Sequence, residues 1–409
     1  MPEFLELLPP NAALTKLLTE AAAGVQAELI PTAQALGRVT AAPITAPHPL
    51  PEFARSTVDG YAVRSSDTFG ASDSQPGYLR LIGEVPMGDS PEFGVPSGSC
   101  ALIHTGGMLP ADTDSVIMLE NTQPVSSREI EIQRAVAPGE NCIRIGEDVQ
   151  TGQEVIPTGA RIRTPEMGGM AALGVTEVLV ARQPRVAILS TGDEVIPASA
   201  TPRPGQVRDV NTATLCALVT QHGGLPQSYG ILPDRAEVLE AAARQALETC
   251  DILVITAGSS ASTRDLTSDV INNLGKPGVL VHGVNVRPGK PTILAVCNGK
   301  PVIGLPGNPV SALVIAGLFI APLIHQMLGL PAANHAVRMA HLTLNVPSQT
   351  GREDWTPVKL IEGPAGWLAQ PIFGKSNLIF SLVRADGLVR TPPDANGLES
   401  GSLVEVHIL

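Results

Sequence analysis

The chain has no CxxC pair, no stripe of lysines and arginines, no GxGxxG turn after its first buried strand and no basic segment at its start. Each absence removes a class of function. Five dispersed cysteines (Cys100, Cys142, Cys216, Cys250, Cys297) argue against a structural zinc site and for reduced thiols, small buried hydrophobes in a cytoplasmic protein. A formal charge of −12 over 409 residues argues against nucleic acid, whose phosphates recruit cation stripes. An acidic chain binds an anion only through a local cluster of donors that overrides the global field, so such a cluster is the feature to seek. The opening MPEFLELLPPNAALTKLLTE has neither a basic n-region nor an unbroken apolar core and does not read as a signal peptide. Without GxGxxG after VAILS, a dinucleotide dehydrogenase is disfavoured.

What is present describes a globular protein of two to four domains, with 44% hydrophobic and 16% charged residues. Forty glycines and 37 prolines predict many turns and short strands beside the helices. Residues 1–46 and 148–182 read as one N-terminal region in two pieces, helical around Ala13, Leu17, Leu18 and Ala21 and again over TPEMGGMAALGV. Residues 47–147, between them, read as an inserted β-rich domain. From 183 to 330, apolar strands (VAILS, DILVIT, PVIGL) alternate with amphipathic helices. That pattern predicts a doubly wound, mostly parallel α/β domain with ligands beyond the strand carboxyl ends. Residues 331–409 predict a small C-terminal β-domain, completing a multidomain α/β protein. The uncharged run from Pro309 to Leu330 is long enough to span a bilayer, but Pro322, His325 and Gln326 interrupt it, and it reads as a buried helix rather than a membrane segment.

Four strand-end loops carry the chemistry. Ser190-Thr191-Gly192-Asp193-Glu194 offers hydroxyls, a glycine and carboxylates, which suits a Mg²⁺-assisted phosphate site. The run from Ile255 to Asp265, with Ser260 within it, offers small hydroxylic donors to an oxyanion; Asp265 either caps the next helix or binds metal. Arg287-Pro288-Gly289-Lys290-Pro291 fixes two cations three residues apart on a stiff loop, the positive cluster an acidic protein needs. In Pro306-Gly307-Asn308-Pro309, Asn308 reads as an N-cap and Pro309 as the first helical residue, with the helix N-terminus aimed at an anion.

STGDEV, PGQVRDVN, RPGKP and GLPGNPVSA together resemble the signature loops of the molybdopterin molybdenumtransferase (MoeA) family, to which the C-terminal part of gephyrin also belongs. The likeness extends to STVDGYA at Ser56–Ala62, to IHTGG at Ile103–Gly107 and to IRIGEDVQTGQEVIPTGARI. It implies Mg²⁺-dependent insertion of molybdenum from molybdate into adenylylated molybdopterin, with release of AMP, by a homodimer whose site is shared between subunits. By position it implies that Asp59, Thr105, Glu194, Asp234 and Asp265 are catalytic, with Glu194 and Asp265 as metal ligands. It implies a substrate-binding role for Asp209, Arg287, Lys290, Arg352 and Ser376, beside the loop residues Ser190, Thr191, Gly192, Ser260, Pro306, Gly307 and Asn308.

The chain departs from the family pattern where Ala257 and Ser262 replace glycines, where Arg287 stands for the commoner Lys, and where Gly283 occupies a position usually held by a cation. One cation fewer should weaken binding of a dianion or alter which anion is preferred. Two alternatives therefore stand beside the enzyme: a paralogue that binds a pterin or nucleotide as a carrier or scaffold, and a variant that inserts tungsten.

Overall fold

A computed structural model describes residues 7–22, 24–257, 261–331, 336–364 and 366–409, with the side chains of 257 and 261–265 outside the description. The chain divides into two compact units, one of residues 1–42, 158–163 and 177–409, the other of residues 43–157 and 164–176.

The first unit is built on a six-stranded sheet. Its strands are β1 (Arg185–Thr191), β2 (Leu225–Leu232), β3 (Ile252–Ala257), β4 (Pro277–His282), β6 (Ile293–Cys297) and β7 (Lys300–Pro306), in the spatial order β2-β1-β3-β7-β6-β4. Successive residues of each strand serve opposite faces, as the pleat requires. Val186, Ile188, Ile252 and Val254 pack with helices α1 (Pro10–Glu20), α2 (Asn211–His222), α5 (Pro309–Ile315) and α6 (Ala321–Leu328). Ala187, Leu189, Leu253 and Ile255 pack with α3 (Ala236–Thr249) and α4 (Ala261–Leu274). Both faces are covered, which is why these strands are continuously apolar.

The sheet is mixed. β2, β1, β3 and β7 run parallel, whereas β6 and β4 are antiparallel to their neighbours. The cause is the Asn298-Gly299 turn between β6 and β7, with φ of 52° and 83°. Two consecutive left-handed residues make the tight turn that reverses a hairpin, so the last crossover of a fully parallel sheet is absent.

Residues 309–328 form one helical run, long and apolar enough to cross a membrane by length and composition. Here it is a core element: Ala312, Ile315, Phe319, Ile320, Leu323 and Ile324 are buried against the sheet. Residues Ala316–Ile320 widen into a π-turn just before Pro322, whose ring lacks the N–H that a regular α-turn would use at that point.

The C-terminal strands close on themselves. β8 (Val337–Leu342), β9 (Glu353–Gly363), β10 (Gly366–Pro371), β11 (Gly387–Thr391) and β12 (Leu403–Ile408) pair in the order β9-β10-β8-β12-β11, and β11 returns to β9. Ala340, Leu342, Val358, Ala369, Val389 and Val406 fill this small barrel. A two-residue strand, β5 (Val286–Arg287), reaches from the α/β domain and adds in parallel to β9.

The second unit carries its own six-stranded sheet, formed by Ser115–Met118, Gly60–Val63, Ser99–Ile103, Gly77–Val85, Glu129–Ile132 and Thr122–Ser126 in that spatial order. Tyr61, Leu79, Ile117, Ile130 and Ile132 form its core. The five cysteines are free thiols; Cys100, Cys250 and Cys297 are buried, and burial pushes the Cys100 thiol up to about 12.

Candidate active site

The RPGKP and GREDW motifs are separated by some sixty residues of chain yet lie side by side. In the β5–β9 ladder Val286 faces Glu353 and Arg287 faces Asp354. The Glu353 N–H donates to the Asn285 carbonyl at 3.2 Å, and the Asn285 side chain bonds the Gly351 carbonyl. Gly289 lets the loop after β5 lie against the core helix: its φ is 122°, and a Cβ there would meet Ile315 at 2.4 Å.

Above this seam opens a cavity of about 700 Å³ between the α/β domain and the barrel. Arg287, Lys290, Pro306, Asn308, Arg352 and Ser376, six of the residues predicted to bind substrate, line it. Lys375 and the buried Ser311 line it as well. Among the described lining residues four are cations (Arg287, Lys290, Arg352, Lys375) and one is a carboxylate, Asp354. That excess of positive charge is the local cluster an acidic chain requires.

The surrounding side chains are fixed by pairing. Asp354 accepts Arg352 Nε at 2.7 Å and Nη2 at 3.0 Å, and Arg287 Nη1 lies 3.9 Å away. Because β9 alternates its faces, Glu353 points the other way. There it accepts the Trp355 indole N–H at 2.8 Å and Arg390 Nε at 2.8 Å. Asn308 holds the N-cap position of α5, but its amide does not cap the helix; it donates to Ser376 Oγ at 3.0 Å. The Val310 N–H is likewise engaged by the Ser376 carbonyl at 3.1 Å. The helix start expected to receive an anion directly is therefore tied to the barrel, and Ser376 is anchored at the cavity wall.

The remaining predicted residues lie elsewhere. Ser190, Thr191, Gly192, Glu194 and Asp234 gather at the end of β1, two strand positions from β7 and so on the order of 10 Å across the sheet. Ser190 and Thr191 are buried, and Thr256 Oγ1 lies 3.4 Å from Ser190 Oγ. The Asp234 N–H donates to Asp193 Oδ1 at 3.3 Å. Burial, with the negative charges of Asp193 and Glu194 beside it, raises the Asp234 carboxyl above its ordinary value. Asp209 accepts both the N–H of Thr212 at 3.0 Å and its hydroxyl at 2.6 Å, so its carboxylate serves the start of α2 and does not line the cavity. Gly307 lies behind the lining, its carbonyl bonded by Asn211 Nδ2 at 2.9 Å. Ser260 and the side chains of Ser262 and Asp265 lie outside the described residues.

In the second unit Asp59 and Thr105 meet directly. Asp59 Oδ1 accepts the Thr105 N–H at 2.7 Å and its hydroxyl at 3.2 Å. The Thr105 backbone bond is the main reason that the Asp59 carboxyl sits below its ordinary value. His104 lies 3.8 Å from Asp59 and 3.0 Å from Glu84.

Comparison with known proteins supplies the frame for this geometry. Residues 8–174 match the MoeA N-terminal region (domains I and II), 187–326 a probable molybdopterin binding domain and 339–409 the MoeA C-terminal region (domain IV). A putative molybdopterin biosynthesis protein of Methanocaldococcus jannaschii is 36% identical over 92% of this chain and 90% of its own. The chain belongs to the MoeA family. A Nostoc molybdopterin molybdenumtransferase is 30% identical over 93% of this chain and 88% of its own. A crystal structure of a molybdopterin biosynthesis MoeA protein from Pyrococcus horikoshii, 31% identical, superposes with a TM-score of 0.86 over 99% of this chain and 100% of that one. In MoeA terms, the cavity lies between the molybdopterin-binding match and domain IV, while Asp59 and Thr105 fall in the N-terminal region.

Sequence reasoning missed Lys375, Ser311, Asp354 and Trp355. A signal for Asp354 was there: Arg352 and Asp354 are two apart at a strand start, hence on one side of the chain. Lys375, next to Ser376, offered only a single charge in a loop.

Proposed function

We propose that this MoeA-family chain is a transferase of molybdenum cofactor biosynthesis that inserts molybdenum from molybdate into adenylylated molybdopterin and releases AMP. The observation that carries this reading is the convergence of Arg287, Lys290, Arg352 and Lys375 on one cavity of a protein whose net charge is −12. Molybdate is a tetrahedral dianion and the adenylylated pterin a polyanion. Guanidinium forks and lysine ammonium groups recognise such oxygens by charge-assisted hydrogen bonds. Ser376 and Ser311 add neutral donors, and Lys375 adds a cation outside the RPGKP and GREDW motifs. Catalysis on this reading is positioning and charge neutralisation, with no covalent enzyme intermediate.

The acidic residues have a different task. Asp193, Glu194 and Asp234 crowd the end of β1, where burial, with the negative charges of Asp193 and Glu194 beside it, raises Asp234. A divalent cation relieves such crowding, and carboxylate oxygens suit Mg²⁺. Glu194 and Asp265 are the proposed ligands; when bound, the ion supplies charge neutralisation at the pyrophosphate. Asp59, Thr105 and Asp234 are proposed as further catalytic residues, and Ser190, Thr191, Gly192 and Ser260 as phosphate-binding ones. We further propose a cytoplasmic homodimer, on the support of family resemblance.

The test is turnover. The protein is incubated with adenylylated molybdopterin, Mg²⁺ and either molybdate or tungstate, and AMP release and cofactor formation are followed. AMP release that depends on the oxyanion supports the reading; tight pterin binding without AMP release replaces it with a carrier. A faster reaction with tungstate changes the metal and keeps the chemistry.

A further inference from the structure

We propose that Asp354 is a positioning residue of this site, holding the Arg352 guanidinium so that its remaining N–H edge faces the bound oxyanion. The inference rests on the function proposed above and adds a residue to it.

The carboxylate of Asp354 is only 7% exposed, although it borders an open cavity. A buried charge is retained where a partner satisfies it. That partner is Arg352, bound through Nε at 2.7 Å and Nη2 at 3.0 Å. A guanidinium has five N–H groups in a rigid plane. Asp354 takes two of them, along the Nε–Nη2 edge, and Nη1 donates one to Gln349 Oε1 at 3.4 Å, which leaves one N–H on each of Nη1 and Nη2. The end-on Nη1–Nη2 edge is the one left to form a second fork, the geometry that grips two oxygens of a tetrahedral anion.

The backbone makes this carboxylate a fixed point. At Asp354 the strand β9 pairs with Arg287 of β5 on one side and with Thr391 of β11 on the other. A residue held in ladders on both edges cannot shift along the sheet, so neither can the plane of the guanidinium bonded to it. Arg287 Nη1, 3.9 Å from the same carboxylate, is drawn toward it as well.

Two effects of removing the charge oppose each other. Loss of a negative group raises the local positive potential and by itself tightens oxyanion binding. Release of the fork lets Arg352 follow the anion into geometries that do not lead to transfer. The first acts on affinity and the second on the chemical step, so they separate in measurement.

The experiment compares wild type, Asp354→Asn, Arg352→Lys and the double variant, using molybdate affinity by calorimetry and kcat from AMP release. For D354N, kcat is expected to fall roughly 10- to 100-fold while molybdate binds as tightly as, or more tightly than, in wild type. In the R352K background, where no planar fork remains to be aimed, D354N should have little further effect on kcat. Unchanged kcat in D354N overturns the proposal, and so does an equal loss in both backgrounds. A loss of affinity matching the loss of kcat also overturns it, since that marks a structural role. Should D354N fail to fold, Asp354→Glu carries the test: displacing the carboxylate by one methylene must lower kcat with binding retained. Wild type that neither binds molybdate nor releases AMP removes the functional reading and this inference with it; active wild type with equally active D354N removes the inference alone.

Discussion

Arg287 faces Asp354 across a parallel ladder only two residues long, and that ladder joins a loop of the α/β domain to the start of strand β9. The cations of two distant motifs are thereby presented to one cavity by backbone pairing.

The first consequence concerns charge. Lys290→Ala and Lys375→Ala should each weaken molybdate binding about 3- to 30-fold at low salt, with smaller losses at high salt because both ammonium groups are solvent-exposed. Calorimetric titration at two ionic strengths measures this. An unchanged affinity in the Lys375 variant would remove that residue from the site.

Ser376 ties α5 to the barrel and lines the cavity. Ser376→Ala removes the acceptor of the Asn308 amide, 3.0 Å away, while the backbone bond from Val310 remains. The expected cost is about 0.5–1.5 kcal/mol of stability in urea denaturation, with a larger proportional loss of turnover. A variant with normal turnover would place Ser376 in packing only.

Gly289→Ala is expected to be severe for its size. The position combines a φ of 122° with a Cβ contact of 2.4 Å to Ile315, so backbone strain and overpacking add. A loss of about 2–4 kcal/mol in denaturant midpoint analysis is expected, with weakened oxyanion binding. Wild-type stability would show that the loop re-forms without its glycine.

Asp251 gives a pH signature. Burial works against its charge, but the Arg182 fork at 2.7 and 3.0 Å and the Arg185 N–H at 2.7 Å more than offset that, and its pKa is lowered. A carboxyl lowered on folding stabilises above its unfolded value near 3.8, and that stability is lost as pH falls through the folded value. Asp251→Asn should therefore cost about 1–3 kcal/mol at neutral pH, with the gap to wild type closing in acid. A gap that stays constant with pH would contradict the ion pair.

Asp234 should behave in the opposite sense. Its carboxyl is raised on folding, so its charged form opposes stability above the folded pKa, and the penalty vanishes below the unfolded value near 3.8. Asp234→Asn should raise Tm at neutral pH, by an amount that shrinks on acidification, while abolishing AMP release. A lower Tm at neutral pH would show that the carboxylate is held by attraction and not crowded.

Much of this protein was determined by local sequence. Period-two and period-3.6 patterning set which segments became strands and helices, and continuous apolar runs such as VAILS and DILVIT required a sheet covered on both faces. The Asn298-Gly299 pair also carried its own instruction, a hairpin that turns the end of the sheet antiparallel. RPGKP announced a cation cluster because its two prolines restrict the loop whatever surrounds it. Only the tertiary structure decided what those cations meet. The pairing of β5 with β9, the turning of Asn308 from its helix to Ser376, the commitment of Asp209 to Thr212 and the burial of Asp354 under Arg352 are contacts between side chains or strands whose partners no local rule selects. Short-range preferences act through bonds and are written in order along the chain; a site assembled across a domain seam depends on register, and register is settled only when both domains have folded.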